Sequence, residues 1–407
     1  MQGDAVGLTA ARPVGGARRP RRGLGAAAMT AFGLLLVAGC QSPATTAQVA
    51  GAVQKQLPQA KIAVEPAPSV MGVRPDATVK VTATQGKLTS VVVTDSADAA
   101  LPGTLSADGA AWTAGAKLRL DTHYWVRATA VDAHGLKTDE VTVFSTIKPK
   151  SLLTTSISPL SGQTVGVGMP IVVRLSDPVQ NRAEVERGLT VTTSRPIEGS
   201  WRWISDDEVH FRPRVYWPAY TTVTLKVALA GIDAGKGVWG TKDRTVHFTV
   251  GASMVSIVDV NRLHMRVYRN GKLARNVPVT TGKAGFLTRN GIKVVSEKHV
   301  LKVMDASTIG ISKGSPEYYR LEVPYALRVS NSGEFVHAAP WSVASQGGVR
   351  VSHGCVGMSM ANAIWLFRQT HIGDVVQVTG SSRRLEPGNG WTDWNVPWST
   401  WLEGSAV

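Results

Sequence analysis

The 407-residue chain predicts a mainly β protein: two β-sandwiches followed by a third β-rich domain with one main helix. Three observations carry this reading. The 41 glycines and 21 prolines, with valine and threonine recurring throughout, favour turns and strands over long helices. Beyond about residue 61, short runs alternating apolar and polar residues follow one another between turn signals, the pattern of half-buried strands. Only MSMANAIWLFRQT, starting at Met358, spaces its apolar residues (Ala363, Ile364, Leu366, Phe367) as a helix does. With 43% hydrophobic and 18% charged residues the composition is that of a globular protein, long enough for two to four domains at roughly 100–200 residues each.

Residues 1–39 read as an export signal. Arg12, Arg18, Arg19, Arg21 and Arg22 form a basic region, and Leu24 to Gly39 is apolar but too short and too rich in Gly and Ala for a membrane span. Val37-Ala38-Gly39-Cys40 resembles the bacterial lipobox, in which small residues precede a cysteine that is lipidated. The alternatives are a plain signal peptide with an incidental cysteine and, from the paired arginines, twin-arginine export. Residues 40–60 are small and polar, as in a flexible tether. Cleavage before Cys40 removes five arginines and one aspartate, lowering the net charge from +15 to +11. A basic exported protein suits anionic lipid or an anionic wall polymer, and no nucleic-acid partner is expected outside the membrane. With Cys40 taken by lipid, Cys355 has no partner for a disulfide; an unpaired thiol in an oxidising compartment points toward function.

Residues 61–149 offer ATVKVTAT, LTSVVVTD, KLRL, HYWVRATAVDA and EVTVFST, separated by turns such as Gln85-Gly86 and His134-Gly135. Short strands at this spacing predict an immunoglobulin-like sandwich, with Trp112 and Trp125 in its core. After the Lys148-Pro149-Lys150 break, residues 150–250 repeat the pattern, and the SPLSGQTVGVGMPIVVRLSDPV opening resembles the start of an immunoglobulin-like domain of bacterial surface proteins. Neither module shows a nucleophile with a base. In Gly231 to Gly240, Asp233 among glycines suggests a cation-binding turn, against which stand the shortage of oxygen ligands and the like charge of Lys236.

Residues 251–379 begin with two strands around Asn270-Gly271, the strongest short hairpin signal. Strands continue through VSEKHVLKVMD, RLEVPYALRVS and EFVHAA; the helix follows, and DVVQVTG closes the domain. The tail, 380–407, carries four of the chain's twelve tryptophans: Trp391, Trp394, Trp398 and Trp401. Leaving these solvated would forgo their burial, so the tail is expected to dock on a neighbouring domain; a carbohydrate-binding strip is the alternative.

The chemistry concentrates in VRVSHGCVGMSM, Val349 to Met360. A thiol attacks as thiolate, so Cys355 needs a base, and that base needs an orienting partner. His337 ends a separate strand; His353, two residues before Cys355, would share its face in an extended segment. Gly354 permits a sharp turn that would bring the Gly354 and Cys355 amides toward an oxyanion, and the start of the helix near Ser359 could lower the thiol pKa. Zinc held by His337, His353 and Cys355 is an alternative, although paired metal-ligand spacing is missing; an inert buried cysteine is another.

FVHAAPWSVASQGGVRVSHGCVGMS resembles the signature of the L,D-transpeptidase catalytic domain family, over roughly Ser253 to Thr379, and the whole arrangement is similar to actinobacterial members. The resemblance implies a peptidoglycan cross-linking enzyme that needs no cofactor and no metal. Cys355 would attack the carbonyl of the third stem residue, a diamino acid, expel the terminal D-Ala, and pass the acyl group to an amine on a neighbouring stem. It further implies His337 as base, oriented by a backbone carbonyl, His353 as support, and the Gly354 and Cys355 amides as oxyanion donors. Tyr319 and Met304 match a flap over the family's pocket, Ser332 and Gly333 a donor-contacting turn, and Trp341 and Ser352 flank the motif. Donor and acceptor stem peptides would be the partners, the lipid at Cys40 the membrane anchor, and carbapenem β-lactams the covalent inhibitors. The chain departs from the family at Gly357, where arginine or asparagine is usual. Two other readings are an L,D-carboxypeptidase or endopeptidase at the same site, with water as acceptor, and a non-catalytic wall-binding lipoprotein.

Overall fold

The computed structural model describes residues 56–407. The export segment, Cys40 and the tether up to residue 55 lie outside the described residues. Among the described residues no helix is long and apolar enough to cross a membrane.

The first sandwich pairs a four-stranded sheet (Lys61–Glu65, Lys80–Thr84, Ala111–Ala114, Gly103–Leu105) with a three-stranded one (Lys87–Asp95, His123–Val131, Lys137–Ser145) around one apolar core. Trp112 is buried in that core, but Trp125 is not. Side chains alternate along His123–Val131, so Tyr124, one residue earlier, takes the inward place and stacks on Phe144 at 5.3 Å.

The second sandwich packs Thr164–Val165, Asp243–Val250, Thr222–Ala228 and Leu189–Thr193 against Gly199–Trp203, Glu208–Pro213, Ile171–Leu175 and Thr155–Ser158. The glycine-rich turn becomes a short hairpin of Asp233–Gly235 with Val238–Gly240. There Asp233 accepts the Gly235 N–H at 2.9 Å and pairs with Arg74 at 3.4 Å, so its carboxylate serves the protein rather than a cation.

The third region contains β1 (Met254–Asp259), β2 (His264–Arg269), β3 (Lys272–Pro278), β4 (Gly291–Val294), β5 (Glu297–Asp305), β6 (Arg320–Arg328), β7 (Phe335–Ala338), β8 (Val356–Met358), helix α1 (Met360–Gln369) and β9 (Val375–Thr379). One sheet runs β3-β2-β1-β9-β4 and the other β5-β6-β7-β8, with a shared core between them. Asn270 (φ 49°) and Gly271 (φ 77°) supply the two left-handed residues of the β2–β3 hairpin. Ser359 caps α1 by accepting the Asn362 N–H, and Ala363 and Leu366 point into the core. Strand β8 and the cap Ser359 place four residues between Cys355 and α1, so the thiol is not in the helix's first turn.

The second sandwich and the third region are joined by backbone. Gly166 N–H donates to Ile372 O and Gly168 N–H to Gly373 O, each at 2.8 Å. A Cβ on Gly166 would stand 2.1 Å from Asp374 N, so only glycine permits this approach. The tail docks on the same sandwich: Trp401 is fully buried and donates to Ser200 O at 3.0 Å, and Trp394 donates to Gly168 O at 2.8 Å. The Arg212 guanidinium lies 4.9, 5.2 and 4.5 Å from the rings of Trp394, Trp398 and Trp401. These aromatic faces are occupied within the protein, which argues against a sugar-binding strip.

Candidate active site

Parallel pairing of β7 with β8 sets His337 opposite Gly357 and brings it to the same wall as Cys355. Both residues are buried, and both line a cavity of about 180 Å³ together with Met304, Tyr319, Trp341 and His353. Met304, Tyr319 and His353 also line a cavity of about 580 Å³ under the β5–β6 hairpin, whose far wall carries Ser332 and Gly333. His337 also lines a cavity of about 350 Å³, with Trp341, Ser352 and Gly357. The thiol and imidazole share the 180 Å³ cavity, which adjoins the larger one through Met304, Tyr319 and His353 and the third through His337, Trp341 and Ser352.

His337 Nδ1 lies 2.7 Å from Ala338 O. A carbonyl can only accept, so Nδ1 carries the proton and Nε2 keeps its lone pair. Burial lowers the His337 pKa to about 4, against the opposing pull of the Ala338 carbonyl. Burial likewise raises the Cys355 thiol to about 12, although the Phe335 N–H favours the thiolate. At neutral pH the resting pair is thiol and neutral imidazole.

Ser352 organises the turn before the thiol. Its hydroxyl donates to Cys355 O at 2.6 Å and accepts the Gly354 N–H at 3.1 Å. The Gly354 amide expected at the oxyanion is thus already engaged. The Cys355 N–H makes no hydrogen bond among the described residues, and the unbonded Tyr319 hydroxyl belongs to the same cavity wall. Burial, with Cys355 and Asp305 adding to it, raises Tyr319 to about 12 and keeps it a donor. Gly354 is still required: its φ is +124°, and a Cβ there would meet Glu334 Oε1 at 3.3 Å.

His353 is held by a carboxylate. Its Nε2 lies 2.7 Å from Glu317 Oε2, while Phe286 and Tyr319 pack on the ring at 4.6 and 4.9 Å. Glu317 also takes Lys283 at 2.6 Å, so His353 ties the loop bearing Tyr319 to the cysteine turn. Each histidine thus has one ring nitrogen engaged, His337 Nδ1 by Ala338 O and His353 Nε2 by Glu317. Among the described residues no three His, Cys, Asp or Glu side chains converge as metal ligands. Trp341 is half exposed and stacks on His337 at 6.0 Å. Gly333 O faces Cys355 Sγ at 3.7 Å, and Asn389 of the tail holds Ser332 through its N–H (2.8 Å) and hydroxyl (2.9 Å).

A buried ionic cluster behind the cysteine escaped the sequence reading. Glu334, 3% exposed, pairs with Lys293, 1% exposed, and accepts the Arg289 N–H (3.0 Å) and guanidinium (3.2 Å). Arg289 continues to Glu386 of the tail at 2.6 Å. The available signal was one charged residue in each of two otherwise apolar segments, GIKV and GEFVHA, which strand pairing alone does not bring together.

Residues 253–378 match the family model of the L,D-transpeptidase catalytic domain, and residues 70–233 that of a bacterial Ig domain. A solved L,D-transpeptidase in complex with imipenem aligns at 35% identity with a TM-score of 0.49, over 57% of this chain and 100% of that one. L,D-transpeptidase 5 of Mycobacterium tuberculosis (strain ATCC 25618 / H37Rv) is 35% identical over 390 residues, 93% of this chain and 85% of that protein. L,D-transpeptidase 2 of Mycobacterium tuberculosis (strain CDC 1551 / Oshkosh) is 36% identical over 337 residues, 83% of this chain and 82% of that protein. With relatives of this identity aligned along most of their length, the chain belongs to the L,D-transpeptidase family.

Proposed function

We propose that this L,D-transpeptidase cross-links peptidoglycan between third stem residues through a thioester on Cys355. The observation that carries the reading is one cavity shared by Cys355 and a histidine whose Nδ1 is fixed and whose Nε2 is left to act as base. His337 Nε2 takes the thiol proton as sulfur attacks the carbonyl of the third residue. The Cys355 N–H and the Tyr319 hydroxyl are the donors free to hold the oxyanion. Collapse breaks the peptide bond, D-Ala leaves with the proton from His337, and the acceptor amine then attacks the thioester and restores the thiol. The chamber holding Cys355 adjoins one cavity through Met304, Tyr319 and His353 and another through His337 and Trp341, which suits separate donor and acceptor approaches. No nucleotide is needed, since the cleaved peptide bond supplies the acyl group.

The finer placement also belongs to this reading: export, lipidation at Cys40, and a sandwich spacer that holds the catalytic domain in the wall. Incubation with disaccharide-tetrapeptide, followed by mass spectrometry, tests the reaction. Cross-linked dimer with D-Ala release supports transfer, tripeptide alone supports hydrolysis, and unchanged substrate sinks the proposal. Cys355→Ala should abolish turnover and adduct formation with imipenem, a carbapenem. Cys40→Ala should release the protein from membranes.

A further inference from the structure

We infer that the cavity under the β5–β6 hairpin selects donor stems by a free carboxylate, read by Lys302 and Arg383; this rests on the transpeptidase reading above. The walls of the 580 Å³ cavity carry four cationic and two acidic side chains besides His353. Most of that charge is already neutralised. Arg289 is held by Glu334 and Glu386, Arg328 lies 3.1 Å from Glu297, and Asp305 accepts from Ser307 and lies 3.8 Å from Arg320. Lys302 and Arg383 have no carboxylate partner among the described residues.

The two free cations come from different elements. Lys302 lies on β5, in the hairpin above the cavity. Arg383 belongs to the segment after β9, where Asn290 N–H donates to Arg383 O and Asn290 pairs with Arg384. That segment is tied down again at Glu386 and Asn389, so the cation stands on an anchored wall. The cavity meets the thiol chamber through Met304, Tyr319 and His353, so an extended donor reaching Cys355 can lie in it. A hollow with two unmatched cations favours an anion, and a carboxylate accepts charge-assisted hydrogen bonds that an amide cannot match.

A tetrapeptide donor offers such a group at its second residue, its third residue or its terminal D-Ala, and amidating each in turn separates the three. The experiment measures kcat/KM for transfer to one fixed acceptor, using the free donor and three singly amidated donors. The wild-type enzyme should lose about tenfold or more on one of them, chiefly in KM, as expected for one charge-assisted contact. In the Lys302→Gln, Arg383→Gln double variant, kcat/KM for the free donor should fall to that of the discriminated amide. Iodoacetamide alkylation of Cys355 in the variant checks that the pocket is intact. Equal rates on all four donors in the wild type, or a preference that survives in the double variant, overturns the inference. Failure of the wild type to consume any donor overturns the transpeptidase reading instead.

Discussion

Removing His337 should change the pH dependence of acylation as well as its rate. With the thiol pushed up to about 12, only about one molecule in 10⁵ is thiolate at pH 7, and reaching it without a base costs on the order of 7 kcal/mol. A neutral imidazole removes that prior step by taking the proton during attack. The wild-type rate should therefore be flat from about pH 5 to 9 and fall only as His337 protonates toward pH 4. His337→Gln should be slower by about 10²–10⁴ at neutral pH and gain tenfold per pH unit, since it must wait for thiolate. Stopped-flow acylation by imipenem measures both profiles, and the ultraviolet thiolate band reports the resting state. A thiolate band in the resting wild-type enzyme at pH 7, or a wild-type rate climbing tenfold per unit through neutrality, would refute the neutral pair.

Asp374, 2% exposed with Oδ1 unpaired beside Gly166, is raised to about 8 by burial against the pull of the His371 N–H and Lys298. The folded state then keeps a proton that the unfolded chain has lost, so stability falls as pH rises from about 4 through 8. Asp374→Asn should remove that slope; an equal Tm gap between variant and wild type at pH 5 and pH 9 would contradict it. Gly357→Asn should destabilise by about 1–3 kcal/mol, because a Cβ there falls 2.9 Å from Ala339 Cβ and 3.0 Å from Thr280 Cγ2. Ala339→Gly should recover part of the loss in urea unfolding, and no recovery would separate the cost from that contact. Trp401→Ala, which empties a fully buried site, should cost about 3–5 kcal/mol in the same assay.

What was legible in the sequence was whatever strand periodicity and local motif determine. The Asn270-Gly271 hairpin, the Ser359-capped helix and the β-rich architecture follow from neighbours in the chain. Trp125 was misplaced because a period of two leaves the inward face open to a one-residue error when Tyr124 and Trp125 are both aromatic. The partner of the Gly354 amide depended on where one hydroxyl points. Ser352 takes the Gly354 amide, and no spacing rule reveals that. His353 lies close to Cys355 in sequence yet pairs with Glu317, 36 residues away. The Glu334–Lys293 pair spans 41 residues, and only the packed fold brings it behind the thiol.

That buried pair gives the tail a part in the site. From the cysteine turn, Gly354 O accepts Thr288 Oγ1 at 2.9 Å, and Glu334, against Gly354, holds the next residue, Arg289. Arg289 reaches Glu386, Glu386 accepts from Asn389 at 2.8 Å, and Asn389 returns to Ser332 beside Gly333, whose carbonyl faces the thiol. The contacts thus form a closed ring that passes through the C-terminal segment. Asn395 extends it by bonding both backbone groups of Ile292 on β4, next to Lys293. Since Trp394 and Trp401 bury the same tail in the second sandwich, that sandwich and the Ser332–Gly333 turn are parts of one packed unit. A buried charge such as Glu334 is costly when a partner is lost, so loosening the tail at Glu386 acts on the nucleophile turn through Arg289 and Glu334, without touching substrate.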